Sequence, residues 1–275
     1  MTPVVRGLIF AGIGIVVQLV CWLALLRPLL DLSWTATAVL TVIGIILAGL
    51  FGFLTGLKGI YALEPRPVWV FILDVGWSAI NTITGLFWMI WCAAKGTYQP
   101  PTRETQKRGI IVFSGAALPG AAASTIGTVL GGRWLIHEAV HVQQARIFGP
   151  FYWPLYLLNY AANMLVRFLT GRFRDPHWEA YGRVLMEDWA YRAAPHDSAT
   201  SVEVLPSVLW FLLSLLNVLA IGVLVAGIPV LGALPALLGL AVIPWWVGLI
   251  VLILYALGRS FFAKADDHGS GLVFA

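Results

Sequence analysis

The chain has few charged residues and almost no cysteine. Asp, Glu, Lys and Arg make up 11% of the 275 residues, against about 25% in an ordinary soluble domain. Only Cys21 and Cys92 are present, which excludes a disulfide framework and a thiolate metal site. The sequence has no basic run with interleaved aromatic residues and no glycine-rich phosphate loop, so we expect no nucleic-acid partner.

The chain contains several long apolar runs. Hydrophobic residues make up 60% of the chain, and the mean hydropathy is +0.87. A helix that crosses a membrane needs roughly 20 apolar residues. We therefore expect an integral, multi-pass membrane protein, with the lipid bilayer as a partner. The predicted spans lie at about 7–26, 36–57, 69–92, 205–226 and 237–257.

A long polar stretch separates the third predicted span from the fourth and divides the chain into segments. We expect three transmembrane helices in 1–94, a functional unit in 95–203, two transmembrane helices in 204–258 and a polar tail in 259–275. The unit opens with a linker containing two consecutive prolines. Short strands are predicted at 109–114 and 125–130, and helices at 133–147, 151–170 and 177–192. The predicted fold class is mainly α: a polytopic helical membrane protein with about five transmembrane helices, a small helical unit and one or two short strands.

The segment His137-Glu138-Ala139-Val140-His141 matches the pattern H-E-x-x-H. In a helix, residues four apart lie on one face, so both imidazoles can bind one Zn²⁺. Glu138 follows the first histidine and can act as general base toward a metal-bound water. The flanking residues contain no Pro or Gly and favour a half-buried helix. The pattern therefore predicts a catalytic zinc site.

A catalytic zinc ion has three protein ligands, so two histidines leave the site incomplete. The available carboxylates are Glu179, Glu187 and Asp188, and His177 offers a nitrogen. On one continuous helix, Glu179 and Glu187 would be rotated by about 80° and would not bind one metal in the same way. Glu179 can instead pair with Arg183, four residues later.

The downstream residues bring in a family resemblance. Glu187-Asp188-Trp189-Ala190 fits the E-x-x-A pattern, and the stretch resembles gluzincin-type zinc metallopeptidases, in which a glutamate on a downstream helix is the third ligand. The chain over about 133–192 also resembles small bacterial H-E-x-x-H proteins, although Trp189 stands where their E-x-E-A pattern has a second glutamate. The resemblance implies Glu187 as the third ligand. The matching positions are His137, Glu138, His141, Gln144, Gly171-Arg172, His177-Trp178-Glu179-Ala180-Tyr181, Glu187 and Ala190.

The expected activity is that of a membrane-bound zinc metalloendopeptidase acting on peptides or membrane proteins. Glu138 is the expected catalytic residue, and the expected metal ligands are His137, His141 and Glu187. Residues that could orient a ligand or contact substrate include Gln144, which lies two turns after His137. The others are His177, Glu179, Tyr181 and Tyr191.

Asp74 lies within the third predicted span. A charge in the bilayer marks function or a partner within the helix bundle, and we expect a hydrogen bond to Asn81 or Asn217. Two alternative functions follow from other classes of protein. One is a non-enzymatic membrane scaffold with a structural or vestigial metal site. The other is a transporter or channel organised around Asp74.

Five spans also predict an orientation. The N-terminus and the 58–68 and 227–236 loops would share one side of the membrane. The other side would carry more of the Lys and Arg residues, including Arg27, Lys95 and Arg103. Because basic loops stay in the cytoplasm, the sequence predicts an external N-terminus, with the catalytic unit and C-terminus in the cytoplasm.

Overall fold

A computed structural model describes residues 1–29, 31–119, 121–133, 136–169, 180–182 and 184–193. The chain divides into two compact units, Met1–Pro150 and Phe151–Ala275. Helices predominate in the described part of each unit, and the first unit contains a four-stranded sheet. The predicted mainly helical class is therefore confirmed. The predicted spans at 205–226 and 237–257 lie outside the described residues.

Two helical segments near the N-terminus are long and apolar enough to cross a membrane. The first is α1, Pro3–Leu19, which continues as a π-helix over Val20–Leu26 and ends in a short turn, α2, at Arg27–Leu29. The second is α3, Trp34–Lys58. These are the segments predicted at 7–26 and 36–57.

Glycines let α1 and α3 pack closely. A Cβ atom added at Gly14 would lie 2.8 Å from the backbone oxygen of Ala48, and one at Gly52 would lie 2.5 Å from that of Phe10. Contacts this short would force the two helices apart. Small residues of this kind are the usual means by which apolar helices approach each other.

The third predicted span is two helices, not one. Helix α4, Pro65–Val75, and helix α5, Ala79–Lys95, are bent by 90° at the break between them. The backbone of Gly76 leaves the helical region there, with φ −102° and ψ −93°. The expectation of one continuous helix over 69–92 is wrong, because hydropathy averages over the break and does not detect it.

The sheet follows α5 and has the strand order β1-β2-β4-β3. Strands β2 and β4 are parallel, and the two outer pairs are antiparallel. The strand predicted at 109–114 is confirmed, but the single strand predicted at 125–130 is wrong. Gly127 adopts a left-handed φ of 61° and turns the chain into a hairpin. The elements are β1 Thr97–Gln99, α6 Arg103–Arg108, β2 Ile111–Ser114, β3 Ala123–Ile126 and β4 Val129–Gly132.

The two faces of the sheet contribute to separate hydrophobic clusters. Phe113 joins a cluster that contains Trp88 of α5. Leu130 joins a second cluster that contains Val142 of α7, the helix Ile136–Phe148. Side chains alternate between the faces of a strand, so the helix that carries the histidines rests on one face of the sheet.

The second unit begins within a 3₁₀ turn, Gly149–Phe151, and continues as α8, Tyr152–Leu169. Three polar residues of α8 are buried, as expected for a helix packed against protein: Asn159, Asn163 and Arg167. The last described helix is α9, Leu185–Ala193. The expected continuous helix over 177–192 is wrong, because a turn at Gly182 interrupts it. Residues 177–179 lie outside the described residues.

Candidate metal centre

Helix α7 carries the H-E-x-x-H segment close to its N-terminus. It spans Ile136–Phe148, against the predicted 133–147. Its apolar residues Ala139 and Val142 pack on the sheet. His137, Glu138 and His141 are nevertheless buried, with 5%, 7% and 6% of their surfaces exposed. Three buried polar side chains on two turns of one helix indicate a site, because such groups are costly to bury without partners.

The two imidazoles point their Nε2 atoms at each other. These atoms are 3.0 Å apart, and on the opposite side of the His141 ring Nδ1 lies 2.9 Å from Oε1 of Gln144. Because the amide oxygen only accepts, this hydrogen bond requires the proton on Nδ1. The Nε2 atom of His141 then carries the lone pair, which is the form of the ring that can act as a metal ligand. Gln144, which is fully buried, fixes the tautomer in the way that partners of metal-binding histidines do.

His137, His141 and Glu187 form a buried group that could bind a metal ion. Each offers one ligand atom, and these atoms all lie within 4.8 Å of one another. In a tetrahedral zinc site with bonds of about 2.0–2.1 Å, ligand atoms are about 3.3 Å apart. The Nε2 separation of 3.0 Å is close to that value. Two neutral imidazoles and one carboxylate therefore fit a divalent cation.

A tyrosine holds the Glu187 carboxylate. The Tyr156 hydroxyl on α8 donates to Oε1 of Glu187 on α9 at 2.9 Å. Burial and the neighbouring Glu187 carboxylate raise the pKa of Tyr156 well above its ordinary value, so the hydroxyl keeps its proton and remains a donor. The sequence carried no signal for this role, because Tyr156 belongs to none of the motifs.

No family model, curated protein or solved structure matches the chain. The gluzincin resemblance therefore stays a prediction from the sequence, and the candidate metal centre rests on its own contacts.

The remaining sequence candidates fall into two groups. His177 and Glu179 lie outside the described residues. Tyr181 is half-buried and its ring centroid lies 6.5 Å from that of Tyr156, which places it beside the tyrosine that holds Glu187. Tyr191 is buried on α9.

Asp74 has different partners from those expected. Its two carboxylate oxygens accept from Nε and Nη2 of Arg146, at 2.7 and 2.8 Å, and Oδ2 also accepts from the Tyr61 hydroxyl at 2.7 Å. The predicted hydrogen bond to Asn81 is wrong, and Asn217 lies outside the described residues. A buried ion pair therefore accounts for the charge of Asp74.

The bend between α4 and α5 also caps the end of α7. Asn81 donates through Nδ2 to the carbonyl oxygens of Ala145 and Gly149, at 3.2 and 2.8 Å. Trp77 donates through Nε1 to the carbonyl of Ile147 at 3.1 Å. The last carbonyls of a helix have no partner within the helix. The bend therefore satisfies these acceptors and fixes the helix that carries the histidines.

Proposed function

We propose that the protein is a membrane-bound zinc-dependent peptidase. The observation that carries the proposal is the buried group of His137, His141 and Glu187, with Glu138 directly after the first histidine. The two candidate membrane spans support a location at a membrane. Peptides and membrane proteins are the proposed substrates.

The donor set favours zinc over magnesium or calcium, which prefer oxygen ligands. With three protein ligands, one coordination position would remain for water, as catalytic zinc sites require. When bound, zinc supplies a Lewis acid that polarises the peptide carbonyl and lowers the pKa of a bound water toward 7. His137, His141 and Glu187 would hold the ion.

Glu138 is the proposed general base. Its carboxylate makes no hydrogen bond or ion pair with any described residue, so it can accept a proton from water as that water attacks the carbonyl carbon. The same carboxylate then gives the proton to the leaving amine, which completes hydrolysis of the peptide bond. Gln144 orients His141 and Tyr156 orients Glu187, so that neither ligand must reorganise during the reaction.

Metal analysis of the purified full-length protein tests the metal site first. We expect one zinc per chain, and little or none in His137→Ala or His141→Ala. Wild-type protein that carries no divalent transition metal, when purified without chelators, would refute the proposal.

Glu138→Gln separates metal binding from chemistry. The variant should keep its zinc, because Glu138 is not a ligand, and should hydrolyse a quenched fluorescent peptide library at least about a hundredfold more slowly. If wild type and Glu138→Gln both bind zinc and neither cleaves any peptide, the scaffold alternative is favoured. The alternative of a transporter or channel is organised around Asp74, and the ion pair with Arg146 gives that charge a structural role.

A further inference from the structure

The bent helix pair α4–α5 reaches deep between the two candidate spans. Gln18 of α1 donates through Nε2 to the carbonyl of Val75, at the end of α4. Gln18 lies 15 residues after Pro3, which is roughly 22 Å along a helix. The hydrocarbon core of a bilayer is about 30 Å thick. If α1 spans that core, the bend lies more than halfway across it.

The polar residues on both sides of the pair nevertheless meet. Gln106, after α5, donates through Nε2 to the carbonyl of Gly59, before α4, at 2.9 Å. The ammonium of Lys58 lies 5.1 Å from the ring centroid of Tyr98. Were α4–α5 a complete span, these partners would be separated by about the 30 Å of the hydrocarbon core. The pair therefore enters and leaves the membrane on the same side.

An apolar surface runs along the outside of α5. Ile80, Phe87 and Ile90 are 52%, 68% and 67% exposed. They follow one another at spacings of seven and three residues, which places them on one side of a helix. Exposed apolar side chains also lie along α1 and α3, for example Val16 and Ile46 at 59% and 61%. Exposed contiguous apolar surface of this kind marks a contact with lipid or with another protein.

We propose that α4–α5 is a re-entrant hairpin whose outer surface is covered by the acyl chains of one leaflet. Because the bend contacts the C-terminal end of α7, the helix that carries His137 and His141, that end also lies within the leaflet. The N-terminus, the 59–64 loop, the sheet and the N-terminal part of α7 then lie on one side of the membrane, and residues 31–33 lie on the other.

The distribution of basic residues indicates that this side is the cytoplasmic one. Basic residues in short segments next to membrane helices remain cytoplasmic, and the 27–33 segment on the opposite side contains only Arg27 among its basic residues. The N-terminus is therefore cytoplasmic, which reverses the orientation predicted from five spans. The basic residues on the proposed cytoplasmic side, up to the start of β2, are Arg6, Lys58, Arg66, Lys95, Arg103, Lys107 and Arg108.

Single cysteines in the full chain test the hairpin, in a background with Cys21→Ala and Cys92→Ala that expresses and unfolds like wild type. Glu64→Cys and Arg103→Cys, both at exposed positions on either side of the pair, should react with a membrane-impermeant maleimide only after the cells are permeabilised. Asp31→Cys should react in intact cells. Labelling of Glu64→Cys and Arg103→Cys from opposite sides would overturn the hairpin. Labelling of both from outside would overturn the cytoplasmic assignment.

Nitroxide labels test the lipid contact independently of topology. Ile80→Cys, Phe87→Cys and Ile90→Cys, labelled in liposomes of phosphatidylethanolamine and phosphatidylglycerol, should collide more with oxygen than with a water-soluble nickel chelate. Glu104→Cys, exposed on α6, is the matched control and should show the reverse. Preferential access of the nickel chelate to the three α5 positions would show that lipid does not cover this surface.

Discussion

Gln144 orients His141, one of the proposed metal ligands. Its carbonyl oxygen accepts from Nδ1 of His141, so Gln144→Leu should leave the helix intact and release the His141 ring. Loss of such a partner typically lowers metal affinity about 10–100-fold. Competition with a fluorescent zinc chelator measures the change. Gln143→Leu, at the exposed neighbouring position, is the control, and equal effects of the two substitutions would contradict the orienting role.

The choice of carboxylate ligand is also a question about single residues. Glu187→Ala should lower zinc affinity far more than Glu179→Ala, because Glu187 belongs to the buried metal-binding group. Tyr156→Phe should give a smaller loss than Glu187→Ala, since it removes one hydrogen bond to the carboxylate and leaves the carboxylate in place. Metal content after dialysis ranks the three variants. If Glu179→Ala lost the most metal, Glu179 would replace Glu187 as the proposed ligand.

The sequence predicted residues whose spacing is local and missed those that meet across the fold. His137 and His141 are one helical turn apart, so the pattern alone predicted their pairing. Asp74 attracted attention as a charge in an apolar run, but its partner Arg146 is 72 residues away. A buried carboxylate requires a cation, and nothing in a single sequence selects which one. Tyr156 belongs to no motif, so nothing in the sequence indicated that it contacts Glu187.

The ion pair of Asp74 and Arg146 joins α4 to α7. Asp74→Leu or Arg146→Met should each destabilise the protein by about 3–5 kcal/mol, because each leaves one buried charge without its partner. The double variant should be less destabilised than the sum of the two, since no charge is then stranded. Urea unfolding in detergent measures all three.

A surface ion pair supplies the control. Glu104 and Arg108 of α6 lie 3.4 Å apart and are exposed by 54% and 42%, so Glu104→Ala should change stability by less than about 1 kcal/mol. Additive effects of Asp74→Leu and Arg146→Met would show that the two charges do not stabilise each other.

At the scale of elements, composition predicted whether a segment forms a helix or a strand. The backbone conformation of single residues determined where the chain turns. The strands around 109–130 were detectable from their β-branched residues, but the hairpin depends on the positive φ of Gly127. The break at Gly76 is similar, because a glycine in an apolar helix is common and only its contacts show that the chain bends there. The spans α1 and α3 were predicted most directly, since length and hydropathy define them.

For the whole molecule, metal binding should raise the free energy of unfolding. A ligand that binds only the folded state stabilises it by about 2.7 kcal/mol at a hundredfold excess over Kd. Treatment with a chelator should therefore lower the Tm of the wild-type protein, and restored zinc should recover it. His137→Ala should show no such response. A wild-type Tm that chelation leaves unchanged would mean that the folded state gains nothing from zinc.

The cap on α7 also bears on the order in which the chain is made. Asn81 precedes Gly149, whose carbonyl it binds, by 68 residues. At about 5–20 residues per second, the bend leaves the ribosome about 3–14 s before the end of α7, whereas a helix forms in about a microsecond. The donors of the bend are therefore in place before their acceptors are synthesised. Arrested nascent chains ending near residue 130 should already contain a protease-resistant bend, and a bend that is protected only in longer chains would contradict this order.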